Sequence, residues 1–516
     1  MGLRLVDYLD KGASLGPDAP CLTTDDETRT YAEVQNLSFA VAEALRARGV
    51  EPGDKVAIIS GNDPDAFTCV FGISRAGAVW CPINPRNEAA ENRELLDLFD
   101  CSVVLFRSSY ADLMARVRSD LPKVRTWVCL DADVPEALSW NDFLALGEEG
   151  VCRDAAALDD LVTIVGTGGT TGRPKGVILT GTNFETMTAL TLMSYPWPEQ
   201  GRPVYLALAP LTHAAGVLCF PVLARGGQIV IMRQPDVGKF IALIERHSVS
   251  HTFLPPTVIY MVLGHPDLDA ADLSSLQCFW YGAAPMSVTR LEEALSRIGP
   301  VMAQLFGQTE APMMVSTMSP ADHFNADGTV ARQRLPSAGR PSPLCTVAIM
   351  SADGTLLARG ERGEIVVRGS LVTPGYYKNE AATLEASAHG WHHTGDIGYL
   401  DADGYLFIVD RAKDMIITGG FNVYSTEVEQ AILSHPDVQE CAVVGLPDDK
   451  WGERVVAVVQ ALQGRSVDGP ALTAYVKERI GSVKAPKQVE FWEELPRSKV
   501  GKILKTDIKD RLRHRP

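Results

Sequence analysis

Apolar positions along this chain recur with two periods that alternate. At Tyr31, Val34, Leu37, Val41 and Leu45 they keep to one face of a helix, and Thr30 with Glu33 forms a capping pair at its start. Residues 55–60 form an apolar, β-branched run that reads as a strand, 64–76 as a helix and 102–106 as another strand. The rhythm continues with short strand-like runs at 161–165, 177–179, 204–208, 228–232 and 278–281, and Thr182 with Glu185 is expected to cap the helix after the second of these. Such alternation builds parallel sheets covered by helices.

Beyond Arg340 the texture turns to β. Runs at 345–350, 356–357 and 364–368 alternate around the turn signals Ala352-Asp353-Gly354 and Gly360-Glu361-Arg362-Gly363. Strands at 398–400 and 405–409 flank Asp401-Ala-Asp-Gly404, which mimics half of an EF-hand loop but lacks the other ligands and reads as a hairpin. The last hundred or so residues predict a small α+β unit, with strands at 415–418, 442–444 and 453–459 and helices at 426–433 and 470–480. The fold class is therefore α/β: a large N-terminal domain of parallel α/β subdomains with a β-rich subdomain, followed by a small α+β domain. At 516 residues, more than one core is expected.

Charge and composition narrow the partners. A net charge of -16 argues against nucleic acid, whose phosphates need a basic surface. The basic stretch from Arg497 to Arg515 reads as a solvated helix face. The ten cysteines are scattered without a C-x-x-C pair, which points to neither a zinc site nor a disulfide framework and suits a reduced, cytoplasmic setting. The N-terminal MGLRLVDYLDKG lacks an apolar core with a small-residue cleavage site, and Val6 stands where a myristoylation signal needs Ser or Thr. The uncharged run 204–224 is long enough to span a bilayer, but Pro210, His213, Gly216 and Pro221 interrupt it, so it is expected to be core. Whether copies of the chain associate is left open.

The candidate chemistry centres on 166–176, GTGGTTGRPKG, which joins strand to strand. Gly166, Gly168, Gly169, Gly172 and Gly176 free the backbone, Thr167, Thr170 and Thr171 bring hydroxyls, and Lys175 brings a charge, a set suited to wrapping a polyphosphate. It is not a Walker loop, because Lys175 follows Pro174 and precedes Gly176. Nor is it a dinucleotide fingerprint, because Thr171 replaces the third glycine and no helix follows directly. Three further clusters fall at strand ends, where α/β sheets place ligands: His213 in a small-residue turn, Gly282-Ala283-Ala284-Pro285, and Phe306-Gly307-Gln308-Thr309-Glu310.

TGGTTGRPKG closely resembles the phosphate loop of the adenylate-forming superfamily, the acyl-CoA synthetases, luciferases and adenylation domains, whose usual form has Ser where Gly168 stands. The resemblance runs to the end of the chain and implies roles in order. Thr167 to Gly172 and Lys175 would hold ATP phosphates, Gly282, Ala283 and Ala284 the adenine, and His213, Gly282 and Ala311 the carboxylic acid. Phe306, Gly307 and Gln308 resemble the segment beside the adenine, Thr309 would reach the α-phosphate and Glu310 would hold Mg²⁺. Asp396 and Arg411 match the pair at the ribose, and Lys413 falls at the family's hinge, dividing 1–412 from a mobile domain at 413–516. Gly419, Gly420 and Phe421 would line the pantetheine channel, and Lys502 matches the catalytic lysine.

The implied reaction is ATP-dependent activation of a carboxylate as acyl-AMP, with release of pyrophosphate, followed by transfer to coenzyme A. Its demand is for placed positive charge, which Lys175, Lys502, Thr309 and a Glu310-bound Mg²⁺ would meet. Apolar segments at 213–220, 253–263, 281–284 and 311–315, with Met261, Met313 and Met314, suit a lipophilic, fatty-type acid. A benzoate- or coumarate-like aromatic acid is the alternative substrate, and a carrier protein the alternative acceptor.

Overall fold

The computed structural model describes residues 2–147, 161–167, 174–211, 214–462, 464–497 and 503–513. Parallel ladders carry most of the N-terminal region. One sheet runs, in spatial order, Leu138–Ser139, Thr126–Cys129, Cys101–Phe106, Lys55–Ile59, Val79–Ile83, Leu161–Thr167 and Lys175–Thr180, and only the last pairing is antiparallel. A second has a parallel centre of Cys278–Tyr281, His251–Leu254, Val204–Ala207 and Gln228–Ile231. Beside it lies the antiparallel hairpin Met302–Gln308 and Ala311–Met318. In each sheet the parallel strands bring their C-terminal ends to one edge, where open α/β sheets bind ligands.

The helices follow the apolar spacing. Tyr31–Ala47 is capped by Thr30, whose side chain accepts from Glu33 N while Glu33 answers to the Thr30 backbone, and Tyr31, Val34, Val41 and Leu45 are fully buried. Pro64–Arg75 starts from Asp63, whose side chain accepts from Asp65 N and Ala66 N, with the proline in the first turn, where its missing N–H costs no helix bond. The pair Thr182/Glu185 is a correction: the helix is Gly181–Ser194, and its capping box is Thr180 with Asn183. The amide oxygen of Asn183 accepts from the Thr180 backbone as a glutamate would, so the helix starts before the predicted cap. The run 204–224 divides into the strand Val204–Ala207 and the helix Ala214–Ala224, with Leu218, Phe220 and Leu223 buried. No helix among the described residues is long and apolar enough to cross a membrane.

The β-rich region is an antiparallel sheet ordered Thr346–Met350, Gly363–Arg368, His392–Leu400, Leu406–Arg411. Residues 356–357 do not form a strand there; Leu356 makes one isolated bridge to Met350. The small domain has its own sheet, Phe421–Val423, Ile416–Thr418, Gly452–Ala461 and Val438–Asp448, with Gln488–Phe491 added in parallel. It also has a separate core around Val428, Ile432, Val443 and Ala457. The basic tail is only half a solvated face. Helix Lys505–Arg513 buries Ile508 and Leu512 against strand residues such as Val444 and Val456.

Candidate active site

The hairpin that bears the glycine loop pairs Thr167 with Lys175 and Gly166 with Gly176. Sequence reasoning placed all its glycines in the loop, but Gly166 and Gly176 are strand residues packed on the helix Ala89–Leu98 and its end. A Cβ on Gly166 would meet Leu95 Cδ2 at 2.9 Å, and one on Gly176 would meet Phe99 Cε1 at 2.6 Å. Their smallness seats the hairpin against the sheet's helical layer. Thr167 Oγ1 donates to Lys175 O at 3.5 Å. The expected phosphate contacts of Gly168, Gly169, Thr170, Thr171 and Gly172 lie outside the described residues, as do the roles expected of His213 and Lys502.

Lys175 and Glu310, 135 positions apart by number, meet through a residue that the sequence reading missed. Lys175 Nζ lies 5.0 Å from the ring centre of Tyr376, and the Tyr376 hydroxyl donates to Glu310 Oε1 at 2.9 Å. The segment 373–377 holds this ring by main-chain bonds. Ile178 N donates to Gly375 O at 3.0 Å, Tyr377 N to Gly176 O at 2.7 Å and Thr373 N to Glu310 O at 2.7 Å. Burial, reinforced by the Glu310 carboxylate, pushes the Tyr376 hydroxyl well above its ordinary value, so it stays a donor at physiological pH. No local signal marks Tyr376; its partners come from two distant hairpins.

Glu310 sits in the tight connection between Met302–Gln308 and Ala311–Met318. The turn requires Gly307, where a Cβ would clash with the main-chain nitrogen of Met313. Beside it, the Gln308 Nε2 is buried without a hydrogen-bond partner among the described residues, an unmet donor where a nucleotide is expected. Phe306 packs partly buried against the core, Thr309 is half-buried, and Ala311 is fully buried in the core. Met261 is 61% exposed, which removes it from an interior acyl pocket, whereas Met314 is buried.

At the adjacent strand end, Gly282 is buried, and a Cβ there would clash with the carbonyl oxygen of Leu305. The next residue, Ala283, holds φ 66°, a conformation uncommon outside glycine, and both it and Ala284 are exposed. Tyr281 beneath them shares a hydrogen bond with His323 Nε2 at 3.0 Å. The result is a rigid ledge of bare backbone beside the Phe306 strand.

Asp396 and Arg411 face each other as ladder partners, and Arg411 Nε meets Asp396 Oδ1 at 2.8 Å. Asp396 is buried while the Arg411 side chain is 45% exposed, so the pair presents a fixed charge at a surface. Lys413 follows in an exposed turn at 412–414. Gly419 and Gly420 form the two-residue turn of a hairpin that pairs Thr418 with Phe421, with φ 58° and 82°, and Phe421 is 60% exposed.

These residues fit the groups expected. A carboxylate on a turn keeps accepting capacity beyond its one bond from Tyr376, which suits a hard divalent cation, and a cation facing Tyr376 suits phosphate oxygens.

Comparison with known proteins identifies the family. Residues 9–377 match the family model of the AMP-binding enzymes, and 427–502 that of the AMP-binding enzyme C-terminal domain. A medium/long-chain-fatty-acid–CoA ligase of Mycobacterium tuberculosis is 34% identical over 508 residues, covering 95% of this chain and 87% of that protein. A feruloyl-CoA synthase of an Amycolatopsis species is 35% identical over 504 residues, covering 97% of each. The solved structure of ATP-bound MatB from Rhodopseudomonas palustris superposes with a TM-score of 0.89 at 27% identity, over 100% of this chain and 99% of that one. The chain belongs to the AMP-binding enzyme family, the adenylate-forming enzymes.

Proposed function

We propose that this chain is an ATP-dependent carboxylic acid–CoA ligase that takes a lipophilic, fatty-type acid, activates it as acyl-AMP and passes the acyl group to coenzyme A. The observation that carries the reading is the meeting of Lys175, Tyr376 and Glu310 at the rim of the glycine hairpin. In this reading Lys175 and Thr309 stabilise the charge that grows on the α-phosphate as the acid attacks, and Lys502 adds a second cation from the small domain. Tyr376 fixes the direction of the Glu310 carboxylate, which would hold Mg²⁺; when bound, the ion neutralises phosphate charge. Asp396 would accept from the ribose hydroxyls with Arg411 holding it in place. The ledge Gly282–Ala284 would carry the adenine, beside the Phe306 ring. Because chemistry of this kind is positioning, no covalent enzyme intermediate is required.

In this reading the domain boundary lies at Lys413, in the turn at 412–414, and Gly419, Gly420 and Phe421, whose glycines have positive φ, serve the thioester half. The likeness to a fatty-acid–CoA ligase supports the aliphatic substrate, and the equal likeness to a feruloyl-CoA synthase favours an aromatic acid as the second reading. A panel of fatty, cinnamic and benzoic acids assayed for acid-dependent pyrophosphate release separates them. Fastest turnover of an aliphatic acid upholds the first, and preference for a cinnamic acid replaces it with the second. Acyl-CoA formation with coenzyme A as sole acceptor is expected; transfer only to a carrier protein would overturn the acceptor.

A further inference from the structure

A buried polar cluster spans the proposed hinge. Asp410, on the large-domain side, is 3% exposed, sits one residue before the end of the strand Leu406–Arg411 and pairs with Ile397. Its carboxylate accepts from Ser425 N, from Ser425 Oγ at 2.9 Å and from Thr426 Oγ1 at 3.4 Å, all on the small-domain side. Ser425 opens the helix Ser425–Leu433 and is fully buried. Lys505 Nζ donates to the same Ser425 Oγ at 2.6 Å and pairs with Glu429 Oε1 at 2.7 Å. Burial would depress the Lys505 ammonium, but Glu429, Asp410 and Asp414 outweigh it and keep it charged.

Lys505 begins the helix that follows the Lys502 segment. The stem of that segment is closed by Leu504 N donating to Pro496 O at 2.8 Å and by a bridge between Arg497 and Ile503. The cluster thus runs from the neighbour of Arg411 to the base of the segment bearing Lys502. A rotation about Lys413 carries Asp410 with one domain and Ser425 with the other, so it must break these bonds. In the orientation observed, Phe421 is 60% exposed and nothing approaches a Cβ on Gly420 within 4 Å, so the glycine turn assigned to the second half-reaction stands free of the large domain.

We propose that Asp410, Ser425 and Lys505 form a latch across the hinge: positioning residues that hold the small domain in the orientation serving adenylation and release it for thioester formation. This rests on the ligase reading above. The discriminating variant is Ser425→Pro, because proline is accepted in the first turn of a helix yet removes both the N–H and the hydroxyl that donate to Asp410. Loss of hydrogen bonds to a charged group predicts about a tenfold fall in acid-dependent pyrophosphate–ATP exchange. Conversion of supplied acyl-AMP to acyl-CoA should stay within about twofold, which also reports that the variant is folded. Ser425→Thr keeps both donors and should keep exchange. Lys505→Met should repeat the loss and Lys505→Arg relieve it. Equal loss of both half-reactions, loss confined to the thioester half, or no loss in either would overturn the latch. Absence of exchange in the unmodified protein with every acid would instead overturn the ligase reading itself.

Discussion

Asp396 and Asp410 lie on neighbouring strands of one sheet, are buried to nearly the same degree, and each answers a cation or a donor set, yet they are wired differently. Asp396 pairs with Arg411, its own ladder partner, so main-chain bonds on both sides fix the geometry. Asp410 bonds to Ser425 and Thr426, beyond the turn at Lys413, through contacts that only side-chain and helix-end groups make. Where a ligand must always find the same charge, the chain uses the ladder. In the proposed latch, two orientations alternate by breaking a few side-chain and helix-end bonds together.

The largest effect expected from this contrast falls on Lys502. Lys502→Ala should lower pyrophosphate–ATP exchange by about 10²–10³-fold, the usual size for one preorganised charge, and leave conversion of supplied acyl-AMP to acyl-CoA nearly intact. Loss of both halves would mean that Lys502 does not divide its labour. Next comes the acid stability of the rigid large domain. Burial lowers both His251 and His323 to about 4. Each therefore favours the folded state above the unfolded value of about 6.5, and that stability is lost as pH falls through about 4, at most about 3 kcal/mol per residue. Urea midpoints measured from pH 7 to 4 should fall, and His323→Asn should flatten the slope; an unchanged slope would contradict the buried neutral imidazole.

Smaller still, Asp396→Asn keeps the fold but weakens the partner of Arg411. The KM for ATP should rise about tenfold, with the thioester half from supplied acyl-AMP less affected. Tyr376→Phe removes one bond to Glu310 and should raise the Mg²⁺ concentration for half-maximal exchange by several-fold, about the value of a single hydrogen bond to a charged group. An unchanged Mg²⁺ dependence would separate Tyr376 from metal binding.

The sequence made the periodic elements legible because apolar spacing is a local property. Tyr31–Ala47, Pro64–Arg75 and the strands Lys55–Ile59, Cys101–Phe106, Val204–Ala207, Gln228–Ile231 and Cys278–Tyr281 fall where their patterns place them, whereas the strands Val79–Ile83, Thr126–Cys129 and His251–Leu254 were not read from the sequence. The pairing of Asp396 with Arg411 was legible only through the family resemblance, while Thr167 and Lys175 face each other across a hairpin that the strand pattern marks. Contacts between hairpins were not. Tyr376 reaches Glu310 across 66 positions and Lys505 reaches Ser425 across 80, and neither leaves a periodic trace. The shifted helix start at Thr180 has a different cause: asparagine can replace glutamate in a capping box, so two overlapping caps competed and the earlier one won. Gly166 and Gly176 look like loop glycines but are small because Leu95 and Phe99 pack on them.

The central claim is that the two domains cooperate to cut ATP at its α-phosphorus. It is tested most directly by incubating the whole chain with ATP, Mg²⁺, coenzyme A and a fatty acid and resolving the nucleotide products. The account predicts AMP and pyrophosphate in step with acyl-CoA, each dependent on the acid; acid-dependent ADP and orthophosphate would contradict it.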